Sequence, residues 1–283
     1  MSTKVAVVTD STSYLPRGWA AEFGIVVVPV QVIVAGRPLD ETDDDQAQQV
    51  TDALTSLQPV STSRPSPERF LQAFRAAQAA GATEIVVATL SSAMSATYES
   101  ALLAARDATI AVTVIDSGTI AMGLGFAVTR GATAARAGAS AAEVAGIIEN
   151  SARAACVYFY VDTLEYLRRG GRVSSAKAAM GHALQVKPLL HVEHGRVEAL
   201  ERLRTSGKAL ARLAELAITA ANGDACDVAV QHLGAPERAA ALARQLRTSL
   251  PACEVIECPV GGVVGAHVGP GMVAVVVSPK VRT

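Results

Sequence analysis

The chain has 283 residues, half of them hydrophobic, with 4% aromatic and 18% charged. Its core must be built from Ala, Val, Leu and Ile, and there is apolar material enough to bury that core and also line a cavity. The formal net charge of −1 gives no electrostatic reason to expect nucleic acid or an anionic membrane as a partner.

Along the first half, short Val/Ile-rich runs alternate with helical patterns. Val5–Thr9, Ile25–Val28, Ile85–Thr89 and Val112–Ile115 read as strands, and Pro67–Ala79, Ala96–Ala108, Thr119–Ala137 and Ala141–Ala154 as helices. Apolar runs separated by helices predict a parallel sheet covered on both faces. Ser66-Pro67-Glu68 is a helix start, Ser140 with Glu143 has capping-box spacing, and Gly81 and Gly138 sit where helices should stop.

The second half reads differently. Val157–Val161 is a predicted strand, followed by a charged, Gly-containing segment through Ser175. Leu189–Val192 and Val197–Leu200 flank His194-Gly195, a hairpin signal. Ser206–Ala221 and Pro236–Thr248 read as helices, and Val228–Gln231, Val255–Cys258 and Val273–Val277 as strands. The expected fold class is α/β: an N-terminal domain, residues 1–155, with a helix-flanked parallel sheet, and a C-terminal α+β domain, residues 156–283, with an antiparallel or mixed sheet.

No export signal is evident. Lys4 leads straight into a short Val-Ala-Val-Val run, and the longest apolar stretch, Ala154–Val161, is far below the ~20 residues of a membrane span. Cys156, Cys226, Cys253 and Cys258 include no CxxC pair, so a disulfide framework or zinc site is not expected. A soluble protein of a reducing cytoplasm, without stable membrane insertion, is the expectation. The acidic cluster Asp40–Asp45 reads as a solvated loop face.

The candidate chemistry lies in hydroxyl-rich turns. Asp10-Ser11-Thr12-Ser13 follows the first strand, Ser91-Ser92-Ala93-Met94-Ser95-Ala96-Thr97 the third and Asp116-Ser117-Gly118-Thr119 the fourth. In an open α/β sheet, ligands bind beyond the carboxyl ends of strands. For Asp10–Ser13 a turn or cap explains the residues as well as a ligand does, whereas Ser91–Thr97 carries more hydroxyls than a cap needs and capping leaves Ser61–Arg64 unexplained. The convergence of three on one sheet edge, with Ser61–Ser66 as a fourth such segment, favours anion binding at a helix N-terminus. A nucleophile elbow, Gly-x-Ser-x-Gly, is absent, as are both phosphate fingerprints. His267 lies in the Gly-rich stretch Gly265–Gly271, expected to be a loop that lets backbone approach a ligand. Leu164–Ser174 carries Arg168, Arg169 and Arg172 around a Gly pair, a pattern that serves a helix end, an anion or both.

Taken together in order and spacing, these segments resemble the DegV family of bacterial fatty-acid-binding proteins. The matching positions are Thr9-Asp10-Ser11, Thr62–Ser66, Ser91–Ala101, Asp116-Ser117, Leu164–Ser174, Lys187-Pro188, Arg204-Thr205 and His267–Gly271. The resemblance implies a two-domain α/β fold with a long-chain fatty acid buried in the N-terminal domain against the second domain. It implies no catalysis by this chain, which would serve as the lipid-binding subunit of fatty acid kinase in phospholipid metabolism. A separate subunit would bring ATP and Mg²⁺ and phosphorylate the carboxylate; no cofactor is intrinsic. Thr62, Ser95 and His267 match the carboxylate contacts. Ser63, Arg64, Ser92, Ala96, Asp10, Ser11 and Gly269 support that site, and Arg172 and Arg204 match basic positions that engage the kinase. Two positions depart from the family pattern: Arg64 stands where Gln is usual, and Ala96 where Gly is usual. Two other classes compete: a serine hydrolase using Ser92 or Ser95 with His267, and a regulatory module sensing a small anion or lipid.

Overall fold

The structure is a computed structural model that describes residues 4–41, 46–173 and 186–280. In chain order the elements are β1 (Val5–Asp10), α1 (Trp19–Phe23), β2 (Ile25–Val28), β3 (Gln31–Val34), β4 (Arg37–Asp40), α2 (Gln46–Thr55), β5 (Val60–Ser63), α3 (Pro67–Ala79), β6 (Glu84–Thr89), α4 (Thr97–Arg106), β7 (Ala111–Asp116), α5 (Met122–Arg136) and α6 (Ala141–Ala154). They continue with β8 (Cys156–Tyr160), α7 (Glu165–Arg169), β9 (Lys187–Glu193), β10 (Arg196–Leu203), α8 (Ser206–Ala221), β11 (Cys226–His232), α9 (Pro236–Ser249), β12 (Glu254–Pro259), α10 (Gly262–Val268) and β13 (Val273–Pro279). No helix among the described residues is long and apolar enough to cross a membrane.

The chain divides into two compact units. One comprises the chain up to Gln31 together with Ser63–Ala154; the other comprises Val32–Thr62 and the chain from Ala155 onward. The single boundary expected near Ala155 therefore lacks one feature, the excursion of Val32–Thr62 into the second unit. Packing explains it. The Val263 N–H of α10 donates to Glu41 Oε1 at 2.8 Å, and α10 lies so close to α2 that a Cβ on Gly262 would stand 2.8 Å from Val50 Cγ2.

In the first unit four strands run parallel in the order β2-β1-β6-β7. Alternation along each strand supplies two apolar faces. Val5, Val7, Val86 and Ala88 pack with Leu124, Val128, Val144 and Ile148 of α5 and α6. Val8, Ile85 and Val87 pack with Phe70, Phe74, Ala101 and Ala104 of α3 and α4. Helix α3 starts at Pro67 as expected, although the Ser66 hydroxyl makes no capping bond. The capping box at α6 is formed: Ser140 N–H donates to Glu143 Oε2 at 2.8 Å, and Glu143 N–H to Ser140 Oγ at 3.4 Å.

The second unit holds a mixed sheet in the order β10-β9-β8-β13-β11-β12, in which β11 and β12 pair in parallel and the other pairs are antiparallel. Helices α8 and α9 cover one face through Leu213, Ala217, Leu242 and Leu246 against Val228, Val230, Val273 and Val275. The hairpin forms where the sequence places it, with His194 and Gly195 both at positive φ. A separate small sheet has the order β4-β3-β5.

Two helical glycines have opposite surroundings. A Cβ on Gly146 of α6 meets nothing within 4 Å, whereas one on Gly131 of α5 falls onto Cγ1 and Cδ1 of Ile148, which is fully buried. Gly146→Ala should stabilise the protein by roughly 0.5–1 kcal/mol through helix propensity. Gly131→Ala should destabilise it by about 1–3 kcal/mol through overpacking. Denaturant unfolding of both variants checks the opposed signs.

Candidate functional site

The strand-end turns of the first unit are tied to one another by their own polar groups. Asp10 closes β1 and is fully buried. Its carboxylate accepts from Thr12 N–H at 3.0 Å, from the Thr12 hydroxyl at 2.5 Å, and from Leu90 N–H at 2.8 Å beyond the end of β6. Burial raises its pKa above the ordinary carboxylate value, with the three hydrogen bonds opposing. Ser11 Oγ accepts from Val30 N–H at 3.0 Å. The Ser92 hydroxyl and N–H both donate to Asp116, which closes β7, and Asp116 also accepts from Gly118 N–H. Ser91 Oγ accepts from Ala93 N–H at 3.2 Å. The expected convergence on one edge is real, since β1, β6 and β7 are parallel neighbours. Much of that hydroxyl content, however, fastens loops together.

Ser95 stands apart from this latticework. Its hydroxyl lies 2.9 Å from Thr97 Oγ1 at the start of α4. Ala96 occupies the N-cap at φ −73°, an ordinary conformation for an L residue. The departure from the usual Gly therefore introduces no backbone strain. Arg64, the other departure, is exposed, and Ser63 Oγ donates to the Arg64 carbonyl at 3.3 Å.

In the second unit Thr62, near the end of β5, and His267, on α10, meet: Thr62 Oγ1 and His267 Nε2 are 2.9 Å apart, though 205 residues apart in sequence. His267 Nδ1 is buried with no hydrogen-bond partner. Burial, and secondarily the positive charge of Arg172, lowers the His267 pKa to about 4, so the imidazole is neutral at physiological pH. The residues from Gly262 to Val268 form a helix, which corrects the expectation of a Gly-rich loop. The backbone of this segment comes close to neighbouring protein groups. A Cβ on Gly170 would fall onto His267 Nδ1, and one on Gly269 onto the ring of Tyr166. The Arg-Arg-Gly-Gly-Arg segment and the His-Val-Gly segment thus interlock without a methyl's clearance.

Arg168 and Arg169 pair with Glu165 within α7, as a helix-end role requires. Arg172 projects past the helix, its Nη1 donating to the Gly170 carbonyl at 2.5 Å. Arg204 is exposed just beyond β10. Val173 bridges to Val197 near the start of that strand, so the two arginines attach to stretches of β10 roughly 20 Å apart. Ser174, His182 and residues 42–45 of the acidic cluster lie outside the described residues.

Asp162 was not singled out by the sequence. It accepts from the Tyr160 hydroxyl, from Lys187 Nζ at 3.2 Å and from Arg238 Nη1 at 3.4 Å. Burial alone would raise its pKa, but the Tyr160 and Lys187 hydrogen bonds and the charges of Lys187 and Arg238 hold it below the ordinary value. Arg238 also donates to the Gly271 carbonyl, so this cluster anchors the turn after α10. The available signal was Tyr160-x-Asp162 at the end of a strand, a spacing that puts both side chains on one face.

Comparison with known proteins places the chain. A family model described as "Uncharacterised protein, DegV family" matches residues 4–280. A DegV domain-containing protein of Streptomyces coelicolor is 47% identical over 281 residues, covering 99% of this chain and 100% of the relative. One from Deinococcus radiodurans is 38% identical over 279 residues, covering 97% and 98% respectively. Among solved structures, a fatty-acid-binding DegV family protein from Thermus thermophilus aligns with a TM-score of 0.91 at 31% identity, covering 98% of this chain and 100% of that one. DegV from Bacillus subtilis, a fatty acid binding protein, aligns with a TM-score of 0.90 at 30% identity, covering 99% and 100%.

The depressed His267 pKa has a thermodynamic consequence. The folded pKa, about 4, lies below the ordinary histidine value of 6.5, so the unfolded chain takes up the proton first as pH falls. The associated stability is complete above pH 6.5 and is lost as pH falls from there toward 4, by up to roughly 3 kcal/mol. Unfolding free energies measured across that window should fall less steeply for His267→Asn than for the unaltered protein.

Proposed function

Since the chain belongs to the DegV family, we propose that it binds one long-chain fatty acid, holds the carboxylate with Thr62, Ser95 and His267, and presents it to a separate ATP-using kinase subunit. Fatty acid binding by the Thermus thermophilus and Bacillus subtilis proteins supports the ligand class. The observation that carries the head-group assignment is the Thr62–His267 pair, a hydroxyl fixed by a neutral, buried imidazole.

The chemistry follows from where the imidazole hydrogen sits. Nδ1 is packed against Gly170 and has no acceptor, so an N–H there would be buried and unsatisfied. Placing the hydrogen on Nε2 lets it donate to Thr62 Oγ1. The Thr62 hydroxyl hydrogen is then directed away from the histidine, to donate to a carboxylate oxygen. Ser95 supplies a second hydroxyl donor, and α4 begins just after it. A carboxylate removed from water requires such donors, while the acyl chain contributes about 0.8 kcal/mol for each methylene buried against Ala, Val, Leu and Ile.

In the transfer step the bound carboxylate is the nucleophile. One of its oxygens attacks the terminal phosphorus of ATP, the bridging P–O bond breaks, and acyl phosphate and ADP result. ATP and Mg²⁺ come with the partner. Arg172 and Arg204 are the proposed cationic contacts for that partner, on two separate stretches of the second unit's edge strand. Arg172 has a further effect, since its charge helps hold His267 neutral.

Organic-solvent extraction of the purified protein followed by mass spectrometry should recover one fatty acid per chain. Absence of bound fatty acid together with no uptake of added oleate or palmitate overturns the proposal. Thr62→Ala with Ser95→Ala should weaken lipid retention by about tenfold to a hundredfold, from the loss of hydrogen bonds to a charged group. Arg172→Ala should leave lipid retention at neutral pH intact, lower phosphorylation by the partner kinase, and raise the pH at which His267 titrates, read by NMR. An emptied Arg172→Ala protein would place that arginine in lipid binding instead.

A further inference from the structure

Away from the proposed head-group contacts, two sulfurs touch. Cys226 Sγ and Cys253 Sγ are 2.7 Å apart, although 27 residues separate them in sequence. The strand register explains the meeting. Asp227 pairs with Glu254 in the parallel β11–β12 ladder, so the residues one step earlier are carried to opposite positions. Both sulfurs lie 3.5 Å from the same acceptor, the Asp224 carbonyl. Cys226 is fully buried at the start of β11, while Cys253 is partly exposed in the turn before β12. Cys258, by contrast, is buried near the far end of β12 beside Gln231.

We propose that Cys226 and Cys253 form a reversible dithiol–disulfide pair, oxidised by low-molecular-weight disulfides, that staples the starts of β11 and β12. The more exposed Cys253, as thiolate, attacks one sulfur of the small disulfide. That S–S bond breaks, one small thiolate leaves, and a mixed disulfide remains on Cys253. Cys226 Sγ then attacks Cys253 Sγ, and the second small thiolate leaves and takes up the proton released by Cys226. The protein gives up two electrons and two protons, and the small disulfide receives them as two thiols. The order of attack matches the environments. Burial, and next its hydrogen bond with Cys253, pushes the Cys226 thiol up to about 12, which keeps it protonated while Cys253 reacts first. The staple sits at the opposite end of β11 from His232, which adjoins the turn that Asp162 and Arg238 anchor. Oxidation is therefore a property of the second unit separate from the head-group contacts.

The test is incubation of the full chain with oxidised glutathione, followed by peptide mapping and thermal unfolding. The expected product is a peptide pair joined through Cys226 and Cys253, about 2 Da lighter than the separate reduced peptides together. The melting temperature should rise by about 5–10 °C, and dithiothreitol should reverse both changes. Cys226→Ser, or Cys226→Ala should the serine variant misfold, should retain one glutathione on Cys253. Cys253→Ser should leave Cys226 unmodified. Both thiols remaining open to alkylation after oxidation, a lasting glutathione adduct on Cys253 of the unaltered protein, or a cross-link to Cys156 or Cys258 in its place would overturn the proposal.

Discussion

The imidazole of His267 sets its Nδ1 edge against a backbone that carries no side chain. Gly170 has no Cβ, so the ring seats where Nδ1 faces no polar group and Nε2 faces the Thr62 hydroxyl. Enclosure of this kind, with Arg172 adding its charge, disfavours the imidazolium and leaves one hydrogen for two nitrogens. The polarity of the Thr62 hydroxyl then follows from steric exclusion. The glycine pair in the Arg-Arg-Gly-Gly-Arg segment thus serves two purposes: it ends α7, and it permits the contact on which the proposed head-group chemistry rests. The cluster of Tyr160, Asp162, Lys187 and Arg238 supports the same region from below by holding the turn through Gly271.

In the first unit the governing constraint is a carboxylate taken fully out of water. Asp10 accepts three hydrogen bonds, two from Thr12 in its own turn and one from Leu90 that joins the ends of β1 and β6, and without them its burial would be prohibitive. Asp116 does the same work between β7 and the turn that contains Ser92. Part of the abundance of Ser and Thr at strand ends is therefore loop fastening, apart from any ligand contact. Ser11, Ser91 and Ser92 serve the loops. The Ser95 N–H donates to the Ser91 carbonyl at 3.1 Å, while its hydroxyl meets the neighbouring Thr97 hydroxyl at the start of α4.

Periodicity carried most of the fold. The helices Pro67–Ala79, Ala141–Ala154 and Ser206–Ala221 begin and end where hydrophobic spacing, caps and Gly punctuation place them. Two regions escaped. Val32–Thr62 holds short strands and one helix whose positions depend on α10, more than 200 residues later, and local pattern cannot report a contact of that separation. Helix α10 itself is rich in Gly, a residue that argues against helix, and forms because Gly262 and Gly265 allow it to press against Val50 and Leu233. The proposed site divides along the same line. Thr62, Ser95 and His267 enter it as motif positions of the sequence. The pairing of Thr62 with His267 and the anchoring by Asp162 were not legible there, because both are tertiary.

The thread of the chain between the units also orders events during synthesis. Thr62 and Glu41 emerge from the ribosome well before their partners His267 and Val263, which are made 205 and 222 positions later. The first unit has its whole sequence available once Ala154 is out, with the intervening segment looped aside. The second unit cannot close until α10 has been made. Until then the nascent chain must carry Val32, Val50 and Leu54, all buried in the folded unit, without their eventual cover. A ribosome that stalls past Ala154 but short of α10 would leave a folded first unit trailing an apolar segment, a natural substrate for chaperones and for proteolysis.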